Sequence, residues 1–242
     1  MSSTTPLPDE TAPISALPQR LRVYRGETPD PRAASRDAVA VIRRGLLPIA
    51  EIFYSLQGEG ARTGQATVFV RVAGCTLACS FCDTDFRVRR EMTVEEVVAE
   101  TSGFGSPWVC LTGGEPTMYD LGPLCDRLHA RGLRIQVETN GQHPRPAWNL
   151  DHITVSPKET EGGRLHPWYL DHATEFKYVI DDEADVARAA AHPTAGRPGG
   201  PLLFLQPNAL NPDAVRRCIE AVKAEPARFR LSLQTHKLLR IP

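Results

Sequence analysis

The sequence predicts an α/β fold, a partial (incomplete) barrel of about six parallel strands. Short apolar segments alternate with segments of helical periodicity from about residue 47 onward, which is typical of parallel βα units. Polar motifs follow directly on several of these strands, where parallel α/β folds place their ligand-binding mouth. About six strands are too few for a closed eight-stranded barrel.

The predicted elements follow in chain order. A strand over Ala66–Ala73 leads into a cysteine-rich loop, and Thr93 to Glu96 reads as the capping box of a helix. A short buried strand at Trp108–Leu111 precedes a helix over Asp120–Arg131 that ends at Gly132. The later predicted strands are Leu133–Glu138, His152–Val155, Phe176–Ile180, Leu202–Leu205 and Phe229–Leu233, and the later helices are Glu183–Ala191 and Pro212–Ala224.

Composition indicates one folded domain over residues 46–242, preceded by a flexible Pro-rich N-terminal extension over residues 1–45. Within that extension, Arg36–Arg44 has the pattern of a short helix. The formal net charge of −1 argues against nucleic acid or an anionic membrane as a partner. We see no membrane-spanning run and no secretory signal, so we expect a cytoplasmic protein with reduced cysteines.

The most informative feature is the loop that carries Cys75, Cys79 and Cys82 in a C-x3-C-x2-C spacing. Three thiolates without an obvious fourth predict a [4Fe-4S] cluster with one iron open to a small molecule. The alternative is a zinc or electron-transfer site, with His129, His152 or Cys110 as the fourth ligand. Cys110, Cys125 and Cys218 lie in apolar patterns and are predicted to be buried core residues.

Four polar motifs are predicted to meet at one mouth because each follows a strand. They are Thr112–Glu115, Thr139–Gly141, Ser156–Lys158 and Gln206–Asn208. Two adjacent glycines allow a ligand to approach the backbone closely, and a neighbouring carboxylate accepts hydrogen bonds from an ammonium group. The sequence therefore predicts a single shared site.

The cysteine loop, with Phe81 just before Cys82, closely resembles the signature of the radical S-adenosylmethionine superfamily. The resemblance implies the superfamily's incomplete TIM-like barrel. It also implies that the cluster binds S-adenosylmethionine and cleaves it to a 5′-deoxyadenosyl radical. The cofactor contacts it implies are Phe81, Asp83, Gly113, Gly114, Glu115, Ser156, Lys158, Gln206 and Asn208.

A narrower resemblance is carried by Glu51–Gly60, Cys82–Thr84, Leu111–Pro116, Glu138–Gly141 and Leu233–Lys237. Together these segments resemble the 7-carboxy-7-deazaguanine synthase family. That family contracts the ring of 6-carboxy-5,6,7,8-tetrahydropterin to 7-carboxy-7-deazaguanine with loss of ammonia, on the route to queuosine. The resemblance implies a Mg²⁺ ion at Thr84 and substrate contacts at Leu56, Gln57, Gly58, Glu59, Arg71, Thr112, His236 and Pro242.

Two other classes of function remain open from the sequence alone. One is a glycyl-radical activating enzyme, which shares the cysteine and Gly-Gly-Glu motifs but does not need Gln57–Glu59. The other is non-enzymatic, either an iron–sulfur electron carrier or a zinc-stabilised binding module. For the synthase, the resemblance implies a homodimer and an external reductant such as flavodoxin or ferredoxin.

Overall fold

The computed structural model describes residues 31–242, with the exception of Leu210. It contains one nine-stranded sheet with the strand order β3-β1-β2-β4-β5-β6-β7-β8-β9. The strands are β1 Leu47–Leu56, β2 Ala66–Val72, β3 Arg90–Met92, β4 Trp108–Gly113, β5 Arg134–Thr139, β6 His152–Val155, β7 Glu175–Ile180, β8 Leu202–Pro207 and β9 Phe229–Leu231. The helices are α1 Pro31–Ile42, α2 Val94–Gly103, α3 Gly122–His129, α4 Tyr169–His172, α5 Glu183–Ala190, α6 Pro212–Ala224 and α7 Thr235–Leu239.

The predicted α/β class and incomplete barrel are confirmed, since β2 and β4 to β9 pair in parallel and the sheet does not close on itself. The sequence reading missed β1 and β3, which pair antiparallel at one side of the sheet. Their pairing depends on partners far away in the chain, which local periodicity does not reveal.

The predicted helix signals match the structure closely. Thr93 caps α2 in a capping box, accepting from the Glu96 N–H while its own N–H donates to the Glu96 carboxylate. Helix α3 begins at Gly122 rather than at Asp120, because Asp120 Oδ1 accepts from the Gly122 N–H at 2.9 Å. Gly132 has the left-handed φ of +75° predicted for the residue beyond that helix.

The core lies between the sheet and the surrounding helices and contains Cys125 and Cys218. Cys110 is also fully buried, on the opposite face of β4 from Val109 and Leu111, so the predicted burial of all three cysteines is confirmed. Residues 1–30 of the predicted extension 1–45 lie outside the described residues. From Pro31 onward the chain forms α1, and Ala38 of this helix belongs to the core cluster. Residues 31–45 therefore pack with the sheet, and the flexibility predicted for the segment before them stays a prediction.

Helices in the described part of the chain are all too short or too polar to cross a membrane.

Candidate active site

A cavity of about 320 Å³ opens at the carboxyl ends of the parallel strands. All of the predicted site residues except Glu115 line it, and they come from the ends of five strands and the loops after them, and from the C-terminal segment that contains α7. The predicted residues that meet there are Leu56, Gln57, Gly58, Glu59, Arg71, Cys75, Cys79, Phe81, Cys82, Asp83, Thr84, Thr112, Gly113, Gly114, Ser156, Lys158, Gln206, Asn208, His236 and Pro242. The cavity thus lies at the carboxyl ends of the strands, where the sequence predicted one shared site.

The cysteine loop contributes three unpaired, half-buried thiols to one side of this cavity. Burial raises the pKa of Cys75 to about 12 and that of Cys79 to about 11, so both are protonated thiols in the absence of a metal. No three His, Cys, Asp or Glu side chains among the described residues converge on one point to hold a single metal ion.

Hydrogen bonds at Thr76 and Ser80 hold the cysteine loop on the barrel. Glu161 accepts hydrogen bonds from the Ser80 N–H at 2.8 Å and from the Ser80 hydroxyl at 3.0 Å. Thr76 donates to Gln142 Oε1 at 2.6 Å and accepts from the Asn140 amide at 3.1 Å. These hydrogen bonds fix the path of the loop at Thr76 and at Ser80.

Gly113 and Gly114 lie directly against the start of the cysteine loop. A Cβ at residue 113 would lie 2.2 Å from the Val72 carbonyl oxygen, and one at residue 114 would lie 1.9 Å from that of Gly74. Gly113 also has a φ of +140°, which side chains rarely tolerate. Glycine is therefore needed at both positions for β4 to reach the cysteine loop.

Glu115 is the predicted site residue that does not line the cavity. It is 1% exposed, and its carboxylate accepts from the Thr117 N–H and hydroxyl, the Thr139 hydroxyl and the Asn140 N–H. The geometry assigns it to joining the loops after β4 and β5. Its predicted contact with the cofactor stays a prediction.

Lys158 lies beside the cysteine loop, with its ammonium 5.9 Å from the centre of the Phe81 ring. It donates to the carbonyl oxygen of Ser156 at 3.0 Å and to the hydroxyl of the same residue. Burial is the largest cause that lowers its pKa, which is about 8. An ammonium of this kind is a donor for a carboxylate or ribose oxygen in the cavity.

Glu59 and Lys177 form a buried ion pair in the lining of the same cavity. The Gln234 amide donates to the second Glu59 oxygen at 2.8 Å. Burial raises the pKa of Glu59, but the charge and hydrogen bond of Lys177 outweigh it and lower the value to about 2. Burial lowers the pKa of Lys177, but Glu59 more than offsets this and the net direction is upward. Both groups are therefore charged at neutral pH.

Glu138 extends this polar lining toward β4. Its carboxylate accepts from the Gln57 amide at 3.0 Å and from the Thr112 hydroxyl at 3.2 Å. The Gln57 amide also donates to Gln136 Oε1 at 3.2 Å, inside the barrel. Glu138 thus holds Gln57 and Thr112, which are both predicted substrate contacts. The sequence analysis gave Glu138 no role beyond its place in the motif Glu138–Gly141.

Arg71 projects from β2 into the cavity and is held by its neighbours on β1. Its Nε donates to Glu51 Oε1 at 2.7 Å, and its guanidinium lies 5.9 Å from the centre of the Phe53 ring. Thr84, which follows Cys82 by two residues, lines the same cavity as Arg71. The predicted Mg²⁺ at Thr84 stays a prediction.

The C-terminal segment closes the same end of the cavity. Thr235 donates to the Gly58 carbonyl oxygen from both its N–H and its hydroxyl, each at 3.0 Å. A Cβ at residue 58 would lie 2.2 Å from His236 Nδ1, so the predicted contact residue Gly58 makes room for the imidazole. Lys237 pairs with Asp83, and Ser55 donates to the Pro242 oxygen at 2.7 Å.

Asn140, from the predicted motif Thr139–Gly141, lines the cavity as expected, whereas four other lining residues were not predicted, namely Glu138, Lys177, Gln234 and Lys237. Lys177 had a usable signal, because it interrupts the strand Phe176–Ile180 of a parallel sheet covered on both faces. A lysine in such a strand has no route to solvent except through a cavity. The others carry no comparable local signal.

Comparisons with known proteins agree with this geometry. Residues 69–156 match the model of the radical SAM superfamily. The 7-carboxy-7-deazaguanine synthase of Bacteroides thetaiotaomicron is 42% identical over 80% of this chain and 97% of its own length. That of Escherichia coli K12 is 34% identical over 80% and 98%.

A solved structure agrees with the sequence comparisons. The crystal structure of QueE from Escherichia coli superposes with a TM-score of 0.64 at 29% identity, covering 81% of this chain and 97% of that one. The chain therefore belongs to the 7-carboxy-7-deazaguanine synthase family of the radical SAM superfamily.

Proposed function

We propose that this chain converts 6-carboxy-5,6,7,8-tetrahydropterin to 7-carboxy-7-deazaguanine with release of ammonia. The product lies on the route to 7-cyano-7-deazaguanine and queuosine, and the enzyme is a carbon–nitrogen lyase. The observation that carries the proposal is one cavity that is lined both by three free cysteines and by Gln57, Glu59 and Arg71.

The residues on the cysteine side fit a [4Fe-4S] cluster with S-adenosylmethionine. Cys75, Cys79 and Cys82 supply three thiolates and leave one iron for the cofactor's amino and carboxyl groups. When bound, the cluster and cofactor together supply a radical that takes a hydrogen atom from the substrate. Gly113 and Gly114 leave bare backbone beside the cysteines. The remaining proposed cofactor contacts are Phe81, Asp83, Ser156, Lys158, Gln206 and Asn208, with Glu115 bracing the loop.

The part of the cavity lined by Gln57, Glu59 and Arg71 fits a carboxylated pterin. Arg71 has five N–H donors, of which Nε is bonded to Glu51, so its fork suits the substrate carboxylate. Glu138 orients the side-chain amide of Gln57 and the hydroxyl of Thr112, because both groups donate hydrogen bonds to its carboxylate. We propose that Thr84 binds a Mg²⁺ near the same carboxylate, and that Leu56, Gly58, Glu59, His236 and Pro242 surround the ring.

Three further expectations accompany this function. An external reductant such as flavodoxin or ferredoxin delivers the electron to the half-exposed cysteine loop, and a homodimer is the expected assembly. A cytoplasmic location keeps the thiols reduced until the cluster assembles. The synthase names of the relatives do not favour the glycyl-radical activating alternative.

The test uses the full chain, reconstituted anaerobically with iron and sulfide. It is incubated with the carboxypterin, S-adenosylmethionine and a reductant, and we expect 7-carboxy-7-deazaguanine and 5′-deoxyadenosine as products. Cofactor cleavage without any 7-carboxy-7-deazaguanine above background would sink the proposed substrate and leave the radical chemistry standing. About one zinc and no iron after reconstitution would defeat both.

A further inference from the structure

Helix α1 contacts the first of the three cluster cysteines through the side chain of Ser35. The Cys75 N–H donates to the Ser35 hydroxyl oxygen at 3.1 Å, and that hydroxyl donates to the Cys75 carbonyl oxygen at 2.7 Å. A hydroxyl is one of the few groups that donates and accepts at once, so Ser35 satisfies both backbone groups of one residue.

These two backbone groups need partners from outside the sheet. Strand β2 ends at Val72, and Gly74 turns the chain away with a φ of +83°. Cys75 therefore lies beyond the β2–β4 ladder, in which Val72 pairs with Gly113. Partly buried N–H and C=O groups that lose their partners are destabilising, so the hydroxyl fixes the path of the chain at Cys75.

The docking of α1 is built into the fold on both sides of the contact. Ala34, Ala38 and Val41 are buried on one face of the helix. On the other side, a Cβ at Gly74 would lie 3.2 Å from Ala38 Cβ and 3.3 Å from Ser35 Cα. A side chain at residue 74 would force α1 to shift by a few tenths of an ångström and would also clash with the Tyr119 hydroxyl, 2.5 Å away.

We propose that Ser35 is a positioning residue for the iron–sulfur cluster, acting through the backbone of Cys75. The proposal rests on Cys75 being a cluster ligand, as proposed above, and does not depend on the pterin. Mutating a group that orients a metal ligand through a hydrogen bond typically lowers metal affinity or activity 10–100-fold. The motifs shared with the synthase family begin at Glu51, so this residue lies upstream of all of them.

The first experiment measures amide hydrogen exchange in the metal-free full chain. Ser35→Ala is expected to speed exchange at the Cys75 amide about fivefold, the factor for a hydrogen bond of ~1 kcal/mol. Ser35→Thr keeps the hydroxyl and is expected to restore protection, and Asp37→Ala on the exposed face of α1 is the matched control. Unchanged exchange in Ser35→Ala overturns the proposal, as does faster exchange spread evenly along α1, which would assign the hydroxyl to helix docking alone.

The second experiment measures iron release from the reconstituted cluster to a strong chelator under anaerobic conditions. We expect about tenfold faster release from Ser35→Ala than from Asp37→Ala, with a changed electron paramagnetic resonance signal of the reduced cluster and recovery in Ser35→Thr. Equal release rates in a chain that still turns over the pterin refute this role of Ser35 and leave the proposed function intact. Faster release in a chain that never turns over the pterin supports Ser35 and refutes the substrate.

Discussion

Two groups of residues that line the cavity are built in different ways. The cysteine end (Cys75, Cys79 and Cys82 with Gly113 and Gly114) consists of half-exposed thiols on a loop that lies against bare backbone. The polar floor (Gln57, Glu59, Glu138 and Lys177) consists of polar and charged side chains from distant strands that bond to one another. We therefore expect changes at the cysteine end to remove chemistry with little loss of stability, and changes in the floor to reduce both.

The largest effect is expected at the cysteine end. Cys79→Ala removes one of three thiolates, and none of the other described cysteines lies outside the core to replace it. We expect iron and sulfide content and pterin turnover to fall to background, while the Tm of the metal-free chain stays close to that of the unmodified protein. Cys218→Ala, a buried cysteine in α6, is the matched control and should assemble a full cluster. Near-complete iron in Cys79→Ala would contradict the assignment.

Lys177→Met tests the polar floor. It leaves the Glu59 carboxylate buried without its cation, a change that typically costs about 3–5 kcal/mol of unfolding free energy. Denaturant unfolding of the metal-free chain measures this loss. The double variant Glu59→Gln/Lys177→Met removes both charges and should recover most of the stability. A loss below about 1 kcal/mol in the single variant, as for an exposed pair, would end the distinction between the two groups.

Removing Pro242 is expected to have an intermediate effect, on kinetics alone. Pro242 lines the cavity, and its oxygen accepts from the Ser55 hydroxyl at 2.7 Å. Deletion should lower kcat/KM for the pterin about tenfold, the factor for one charge-assisted hydrogen bond of ~1.5 kcal/mol. Cluster content should not change, and Ser55→Ala, which removes only the tether, should have a smaller effect. Identical kinetics after the deletion would exclude Pro242 from substrate binding.

The Glu59–Lys177 pair also predicts a pH dependence of stability. The folded pKa of Glu59 is lowered to about 2, so its ionised form stabilises the fold above the unfolded value near 4.5, and this contribution disappears as the pH falls toward 2. Glu59→Gln cannot titrate, so its loss of stability between pH 5 and pH 2 should be shallower than that of the unmodified chain. Parallel stability curves for the two proteins would show that Glu59 is not a paired carboxylate.

The same contrast separates what the sequence predicts from what it does not. The cysteines and glycines of the cysteine end lie in short motifs whose spacing sets their chemistry, so local reading places them correctly. Lys177 and Glu138 lie in strands without a short motif whose spacing would identify their partners. Their partners, Glu59 and Gln57, are 118 and 81 residues away in sequence.

Glu115 shows the opposite limit of motif reading. The Gly-Gly-Glu motif predicted a carboxylate that contacts the cofactor, which stays a prediction, and it gave no sign that the same carboxylate accepts hydrogen bonds from Thr117, Thr139 and Asn140. Side-chain direction at a strand end depends on which donors the next loop supplies, and spacing carries no information about that. Strand β1 was missed for a related reason, since its partner β2 and its antiparallel direction are set by tertiary pairing.

The contact between Gly58 and the C-terminal segment has a consequence for the order of folding. Thr235 bonds to Gly58 across 177 residues of sequence, so this contact closes a far longer loop than the contact between neighbouring strands β2 and β4. Loop-closure entropy grows with chain length, and long-range contacts form late. We therefore expect the barrel and its cysteine end to form first and the pterin end to close last. A chain caught between these stages would hold a cluster facing an open, water-filled site.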